Sequence, residues 1–278
     1  MEHFTVTQIE RLKQLNCDND ILELEFSDNE DRNIKFREIE ISSVKKGKEN
    51  IKNLLNNKHI TISDEVGNKL SKWLMTKDYT KVLTPTIISK DQLKAMTIDE
   101  ENHLFSQVFW IDKNKCLRPM LAPNLYVVMR ELRRITKEPV KIFEIGSCFR
   151  KESQGAKHMN EFTMLNMVEI ASVEDGKQLD TLKALAHGAM EALGVKNYEL
   201  VVEKSAVYGS TIDIEINGIE VASGSYGPHD LDANWDVFDT WVGIGFGIER
   251  LAMAMEGSAT IKKYGRSINF IDGETMKL

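Results

Sequence analysis

Thr211-Ile212-Asp213-Ile214-Glu215-Ile216-Asn217-Gly218-Ile219-Glu220-Val221 alternates apolar and polar residues on both sides of an Asn-Gly pair. Period-two alternation marks a half-buried strand, and Asn-Gly supplies the positive-φ residues that a two-residue turn requires. The stretch predicts an antiparallel hairpin. Such a turn sets Glu215 opposite Glu220, where like charges repel unless a cation, a neighbouring lysine or solvent relieves them. Mg²⁺ is one such cation, because it favours one or two carboxylates together with phosphate oxygens.

The neighbouring segments read in the same way. Upstream, Glu161 to Ile170 is predicted as a strand, Val140 to Ile145 and Cys148 to Glu152 as strands joined by a Gly146-Ser147 turn, and Ser153 to Met159 as polar loop. Pro85 interrupts an apolar strand from Val82 to Ile88, where proline is tolerated at edges and bulges. Helices are predicted from Pro123 onward (Leu125, Val128, Met129 and Leu132 on one face), over Leu179 to Leu193, and after Trp241 and a glycine-rich run, using Ile248, Leu251, Ala252 and Met255. Another helix carries Val66, Leu70, Trp73 and Leu74, with Ser63 as its cap and Asp64-Glu65 at its positive end. Hairpins with helices between them indicate an α+β domain, an antiparallel sheet flanked by helices. We assign residues 61–278 to it. Residues 1–60, with a short amphipathic helix over Thr5 to Leu15 and then a charge-crowded stretch of little periodicity, form an appendage.

Composition narrows the functional classes. The 278 residues are 42% hydrophobic and 28% charged, as in ordinary globular proteins, and the net charge of −7 argues against a chain that coats nucleic acid. Local basic patches remain at Lys45, Lys46 and Lys48, at Arg130, Arg133 and Arg134, and at Lys262, Lys263 and Arg266. No apolar stretch approaches the ~20 residues of a membrane span and the start has no signal-peptide pattern, so no membrane association and a cytoplasmic location are expected. Cys17, Cys116 and Cys148 are far apart and read as small buried hydrophobes, and the histidines show no metal-ligand spacing.

Three features carry chemistry. Gly243-Ile244-Gly245-Phe246-Gly247-Ile248-Glu249-Arg250 has its third glycine one position too early for a dinucleotide fingerprint. It reads either as a tight strand-to-helix corner or as glycines that admit a ligand close to the backbone, with Arg250 in the first turn of the next helix. Arg150 and Glu152 share a strand face, which is either solvated or faces a ligand. Asn166 is an amide stranded on an apolar face with Phe162, Met164, Val168 and Ile170. Burying it unpartnered costs roughly 1 to 3 kcal/mol, so protein, water or a ligand must satisfy it.

Together these segments resemble a class II aminoacyl-tRNA synthetase, with its proline-terminated first motif, its arginine-bearing hairpin and its glycine-rich strand leading to an arginine, in that order. The resemblance is closest to the pyrrolysyl-tRNA synthetases, through Leu117-Arg118-Pro119-Met120-Leu121-Ala122-Pro123-Asn124-Leu125-Tyr126, Lys141 to Ser153, Glu161 to Asn166, and Gly245 to Arg250. It runs from about Ser63 to the C-terminus, in a form without the family's separate N-terminal tRNA-binding domain. It implies activation of pyrrolysine by ATP and transfer to a pyrrolysine-specific, amber-decoding tRNA, with Pro85 in a homodimer interface.

The resemblance also implies roles. Arg150 would meet the α-phosphate and substrate carboxylate, Glu152 the adenine edge, Phe162 the adenine face, and Arg250 the γ-phosphate. Glu220 and Ser223 would hold Mg²⁺ with ATP. Strict alternation sets those two on opposite faces, so their shared role requires a bulge near Ala222–Gly224. Leu121, Ala122, Leu125, Tyr126, Met129, Val168 and Trp241 would line the amino-acid pocket, Asn166 would bond the side-chain amide, and Tyr208 would cover the pocket from a lid. Gly224-Ser225-Tyr226 departs from the small apolar residues usual there, and Tyr226 is expected to narrow or re-polarise one wall.

Overall fold

In the computed structural model, which describes residues 1–57, 59–151, 155–205 and 207–278, Asn217 and Gly218 take φ of 52° and 71° and close the expected hairpin. Its strands belong to a sheet of β1 (Thr80–Lys81), β2 (Val140–Phe149), β3 (Glu161–Ile170), β4 (Glu199–Ser205), β5 (Gly209–Ile216), β6 (Ile219–Gly227) and β7 (Trp241–Gly247). Their order is β1-β2-β3-β7-β6-β5-β4, with β1 parallel to β2 and every other pair antiparallel. The longer helices are α1 (Val6–Gln14), α2 (Asn29–Asn56), α3 (Ile62–Met75), α4 (Ala122–Thr136), α5 (Gln178–Leu193) and α6 (Ile248–Met255). Helix α4 packs on β2 and β3, α5 on β6 and β7, and α6 on β3, β6 and β7. The arrangement is the α+β class expected. No helix among the described residues is long and apolar enough to cross a membrane.

The expected turn at Gly146-Ser147 does not form, because β2 runs through it and pairs continuously with β3 from Val140 to Phe149. Gly146 is needed inside the strand for another reason: a Cβ there would stand 2.0 Å from a guanidinium nitrogen of Arg118. Arg118 is buried and pairs with buried Glu144 at 2.8 Å, and Thr84 donates its hydroxyl to Glu144 at 2.6 Å. Charges taken so far from water require this satisfaction. Pro85 lies between two short strands, β1 and Ile87–Ser89, which belong to different sheets, so the single strand expected from Val82 to Ile88 is divided. The backbone oxygen of Pro85 and the Thr84 hydroxyl both accept from Asn124, each at 2.8 Å, so this break is pinned to α4. Helix α3 begins at Ile62, which places Ser63 inside the helix and not at its cap.

Two units divide the chain, Met1–Ile62 with Lys262–Leu278, and Ser63–Ile261. The C-terminal residues, expected with 61–278, thus pack with the first segment: Asn16 donates to the Gly273 carbonyl at 2.9 Å, and Asn50 to Glu274 at 2.9 Å. The charge-crowded stretch contains α2, a helix of 28 residues whose one buried residue is Gly47. With so little apolar face, periodicity gave no sign of it. Its cap does the work locally, since Asp28 accepts from the backbone N–H of Glu30 and Asp31. Gly47 admits the Leu278 side chain, which a Cβ would meet at 2.7 Å.

Candidate active site

A cavity of about 330 Å³ opens over the sheet of the larger unit. Its floor follows from cross-strand register. In one row Asn166 faces Gly245, which faces Ser223, which faces Asp213; in the next, Val168 faces Gly243, which faces Ser225. The two glycines keep this floor flat. A Cβ at Gly245 would stand 3.1 Å from both amide atoms of Asn166, and one at Gly243 would stand 3.0 Å from the Met167 carbonyl oxygen.

One irregularity sets the phase of β6. Glu220 pairs with Glu215, but Ala222 pairs with Ile214 and Ser223 with Asp213, so Val221 is an extra residue. The bulge lies just before the segment where it was expected, and it turns Glu220 and Ser223 to the same face. Both line the cavity. Tyr226 does not: it is 40% exposed and shares a face with Gly224, whose Cβ would run into Leu182 of α5 at 2.8 Å. The wall that Tyr226 was expected to narrow is formed instead by Ser225 and the Gly224 backbone.

The residues expected on the phosphate side, Arg150, Phe162, Glu220, Ser223 and Arg250, all line the cavity. Arg150 lies just beyond β2, its Nε donating to the Pro119 carbonyl at 2.9 Å and its guanidinium 5.4 Å above the Phe162 ring. Arg250, in the first turn of α6, donates to the Glu220 carbonyl at 3.2 Å and pairs with the Glu220 carboxylate at 3.5 Å. Desolvation at the rim raises the Glu220 carboxyl above the ordinary carboxylate range, and Arg250 offsets part of that rise. Glu152 lies outside the described residues. Glu220 and Ser223 present a carboxylate and a hydroxyl, the hard oxygen donors that suit Mg²⁺. Among the described residues no group of three or more His, Cys, Asp or Glu is arranged to hold a metal alone. Two protein ligands, with phosphate and water completing the shell, fit this donor set.

One end of the cavity is apolar. Ala122, Leu125, Tyr126 and Met129 of α4 line it with Val168, Tyr208 and Trp241. Leu121, expected among them, is fully buried in the core and does not line the cavity. Asn166 also reaches the cavity, and its Oδ1 is buried without a hydrogen-bond partner among the described residues. Burial raises the Tyr126 and Tyr208 phenols well above their ordinary range.

Four polar residues went unnoticed in the sequence. Buried Asp232 accepts from the Tyr126 hydroxyl and Trp241 Nε1, each at 2.8 Å, and from the His229 backbone at 2.7 Å. His229 Nδ1 accepts from the Leu231 N–H at 3.2 Å, which leaves the proton on Nε2 to be donated to the Tyr208 carbonyl at 2.6 Å. Glu249, buried at the start of α6, accepts from the Thr163 N–H at 2.8 Å and so ties the Arg250 turn to β3. Asp213 accepts the Ser223 hydroxyl at 2.6 Å. An acidic residue in a helix's first turn and the alternation of β5 were the available signals for Glu249 and Asp213; for Asp232 and His229 the local signal was their spacing of three at the start of a short helix, while their partners Tyr126 and Tyr208 lie far away in sequence.

The patch Arg130, Arg133 and Arg134 is paired with acids: Arg130 and Arg134 with Glu131, and Arg133 with Asp239.

Comparison with known proteins agrees with this fold. The family described as tRNA synthetases class II core domain (F) matches residues 48–272. A crystal structure of pyrrolysyl-tRNA synthetase from Desulfitobacterium hafniense superposes with a TM-score of 0.91 at 46% identity, covering 100% of this chain and 99% of that one. O-phosphoserine–tRNA(Cys) ligase of Archaeoglobus fulgidus is 25% identical over 72% of this chain, which spans 40% of that protein's length. The phenylalanine–tRNA ligase alpha subunit of Mycoplasma pneumoniae is 24% identical over 76% of this chain and 67% of its own length. The chain belongs to the class II tRNA synthetase core family and, within it, to the pyrrolysyl-tRNA synthetases.

Proposed function

We propose that the chain is a pyrrolysine–tRNA ligase, which activates pyrrolysine with ATP as an aminoacyl-adenylate and passes it to a pyrrolysine-specific, amber-decoding tRNA. The observation that carries this reading is the buried, unpartnered Oδ1 of Asn166 in the apolar half of the cavity. An amide-bearing side chain offers an N–H to that oxygen and a carbonyl to the Asn166 Nδ2, whereas a hydrocarbon side chain leaves the orphan in place. The long apolar reach formed by Leu125, Met129, Val168 and Trp241 suits a bulky group beyond the amide.

In the first step the amino-acid carboxylate, already ionised, attacks the α-phosphorus in line and pyrophosphate leaves, so no general base is required. Arg150 binds the α-phosphate and the carboxylate. Phe162, with Arg150 above its ring, receives the adenine face, and Glu152 its edge. Arg250 holds the γ-phosphate, and its contact with Glu220 gives way when phosphate enters. Glu220 and Ser223 hold Mg²⁺, which when bound neutralises phosphate charge. Positioning and oriented charge supply the rate enhancement. Tyr208 covers the amino-acid end and excludes water. The terminal adenosine hydroxyl of the tRNA then attacks the adenylate carbonyl, releasing AMP.

A homodimer acting in the cytoplasm completes the proposal. Leu83 is 83% exposed and Ile87 51% exposed, and these flank Pro85 with apolar surface suited to a second copy.

ATP–pyrophosphate exchange over a panel of pyrrolysine, Nε-acylated lysines and standard amino acids tests the reading. Exchange is expected with the first two classes and to be abolished by Arg150→Ala. Exchange with a standard amino acid alone would overturn the assignment.

A further inference from the structure

Asp213 is a buried carboxylate whose one side-chain hydrogen bond among the described residues comes from the Ser223 hydroxyl, at 2.6 Å. No lysine, arginine or histidine pairs with it there, although an ionised carboxylate removed from water calls for a cation close by. The nearest place for one is set by the strand register. Asp213 faces Ser223 across β5 and β6, and the bulge at Val221 brings Glu220 onto the same face two pairs further along. Ser223 and Glu220 line the cavity and Asp213 does not.

A serine hydroxyl has one proton and two lone pairs, and a carboxylate can only accept. The bond to Asp213 therefore commits the Ser223 proton to the wall behind the cavity and leaves the oxygen lone pairs for partners in front. Without that acceptor the hydroxyl samples its other rotamers and proton positions, some of which aim the proton at an incoming cation.

We propose that Asp213 is a positioning residue for the metal–ATP half of the site: by accepting the Ser223 proton it aims the lone pairs of Ser223 at the cation. The inference rests on the reading that Glu220 and Ser223 hold Mg²⁺. Partners that orient a metal ligand in this way typically account for about 10- to 100-fold in metal affinity.

The test uses the full-length chain with ATP and Mn²⁺ as a paramagnetic substitute for Mg²⁺, reading bound Mn²⁺ by electron paramagnetic resonance. Asp213→Ala is expected to weaken Mn²⁺ binding about 10- to 100-fold. Ser223→Ala should weaken it to a similar degree, and the double variant should be no worse than Ser223→Ala alone, because the two residues act as one unit. Asp213→Asn keeps an acceptor for the hydroxyl and should retain most of the affinity, which also guards against a misfolded alanine variant. Normal Mn²⁺ binding by Asp213→Ala beside a loss in Ser223→Ala overturns the positioning role while leaving the parent reading intact. Normal binding by Ser223→Ala overturns the parent reading itself. A loss in Asp213→Asn as deep as in Asp213→Ala, with both variants folded by circular dichroism, overturns the orientation argument.

Discussion

His229 Nε2 donates to the backbone carbonyl of Tyr208 at 2.6 Å while His229 Nδ1 accepts from the Leu231 N–H at 3.2 Å. One imidazole thus caps a turn and holds a residue that lines the apolar end of the cavity. The two jobs separate by isosteres: asparagine places its amide where Nδ1 stands, and glutamine reaches to Nε2. His229→Asn should keep the cap and release Tyr208, accelerating amide hydrogen exchange across residues 199–216 together with amino-acid association and dissociation rates. His229→Gln should leave that exchange near the wild-type rate. Equal exchange in the two variants would show that the histidine does not hold Tyr208.

The Gly146–Arg118 approach makes a stability prediction. Gly146→Ala places a methyl where the guanidinium now lies, 2.0 Å from its nitrogen, and must displace Arg118 from buried Glu144. Losing a buried pair in this way costs about 3 to 5 kcal/mol. Urea denaturation should show a loss of that order, against about 1 to 2 kcal/mol for alanine at Gly176, which has no atom within 4 Å but takes a positive φ of 82°.

Asn166 should trade stability against selectivity. Asn166→Leu is close in shape and removes the orphaned oxygen, so the ligand-free protein should gain roughly 1 to 2 kcal/mol. The same variant should lose kcat/KM for amide-bearing lysine derivatives by about 10- to 100-fold. A thermal melt and pyrophosphate exchange measured on one preparation check both halves.

The cysteines should divide by reactivity. Cys116 and Cys148 are fully buried, and burial pushes their thiols up to about 11 and about 12. Raised values keep them as neutral thiols through pH 8, where the thiolate is the reactive form. Cys17 is part-exposed beside the Ser43 hydroxyl. A disulfide dye at pH 8 should label Cys17 first in the native protein and reach the other two only after denaturation. Prompt native labelling of Cys148 would contradict the packing around β2.

Much of the fold was legible because its signals are local. The Asn217-Gly218 turn, the limits of β3 and the helix opening at Pro123 each declare themselves within a few residues. What sequence reading missed depends on partners far away. Gly146 resembles a turn residue until the Arg118 side chain is known to lie against it, and Leu121 looks like pocket lining until the helix start rotates it into the core. Helix α2 lacks an apolar stripe, so only its Asp28 cap and its charged, helix-favouring composition were there to be weighed. In the cavity, the arginines, Asn166 and the glycines stood out in the sequence, but the supporting shell of Asp213, His229, Asp232 and Glu249 became visible only through contacts made in the fold.

The extra residue at Val221 has a practical consequence for anyone reshaping the pocket by mutagenesis. A library that counts alternate positions forward from Glu220 would randomise 222, 224 and 226, the face on which a side chain at 224 would meet Leu182 of α5 and Tyr226 is exposed. Randomising 223 and 225 addresses the cavity instead, with 223 left untouched if the metal is to stay. Deleting Val221 would be a sharper intervention than any substitution, because it re-clocks every later side chain of the strand at once.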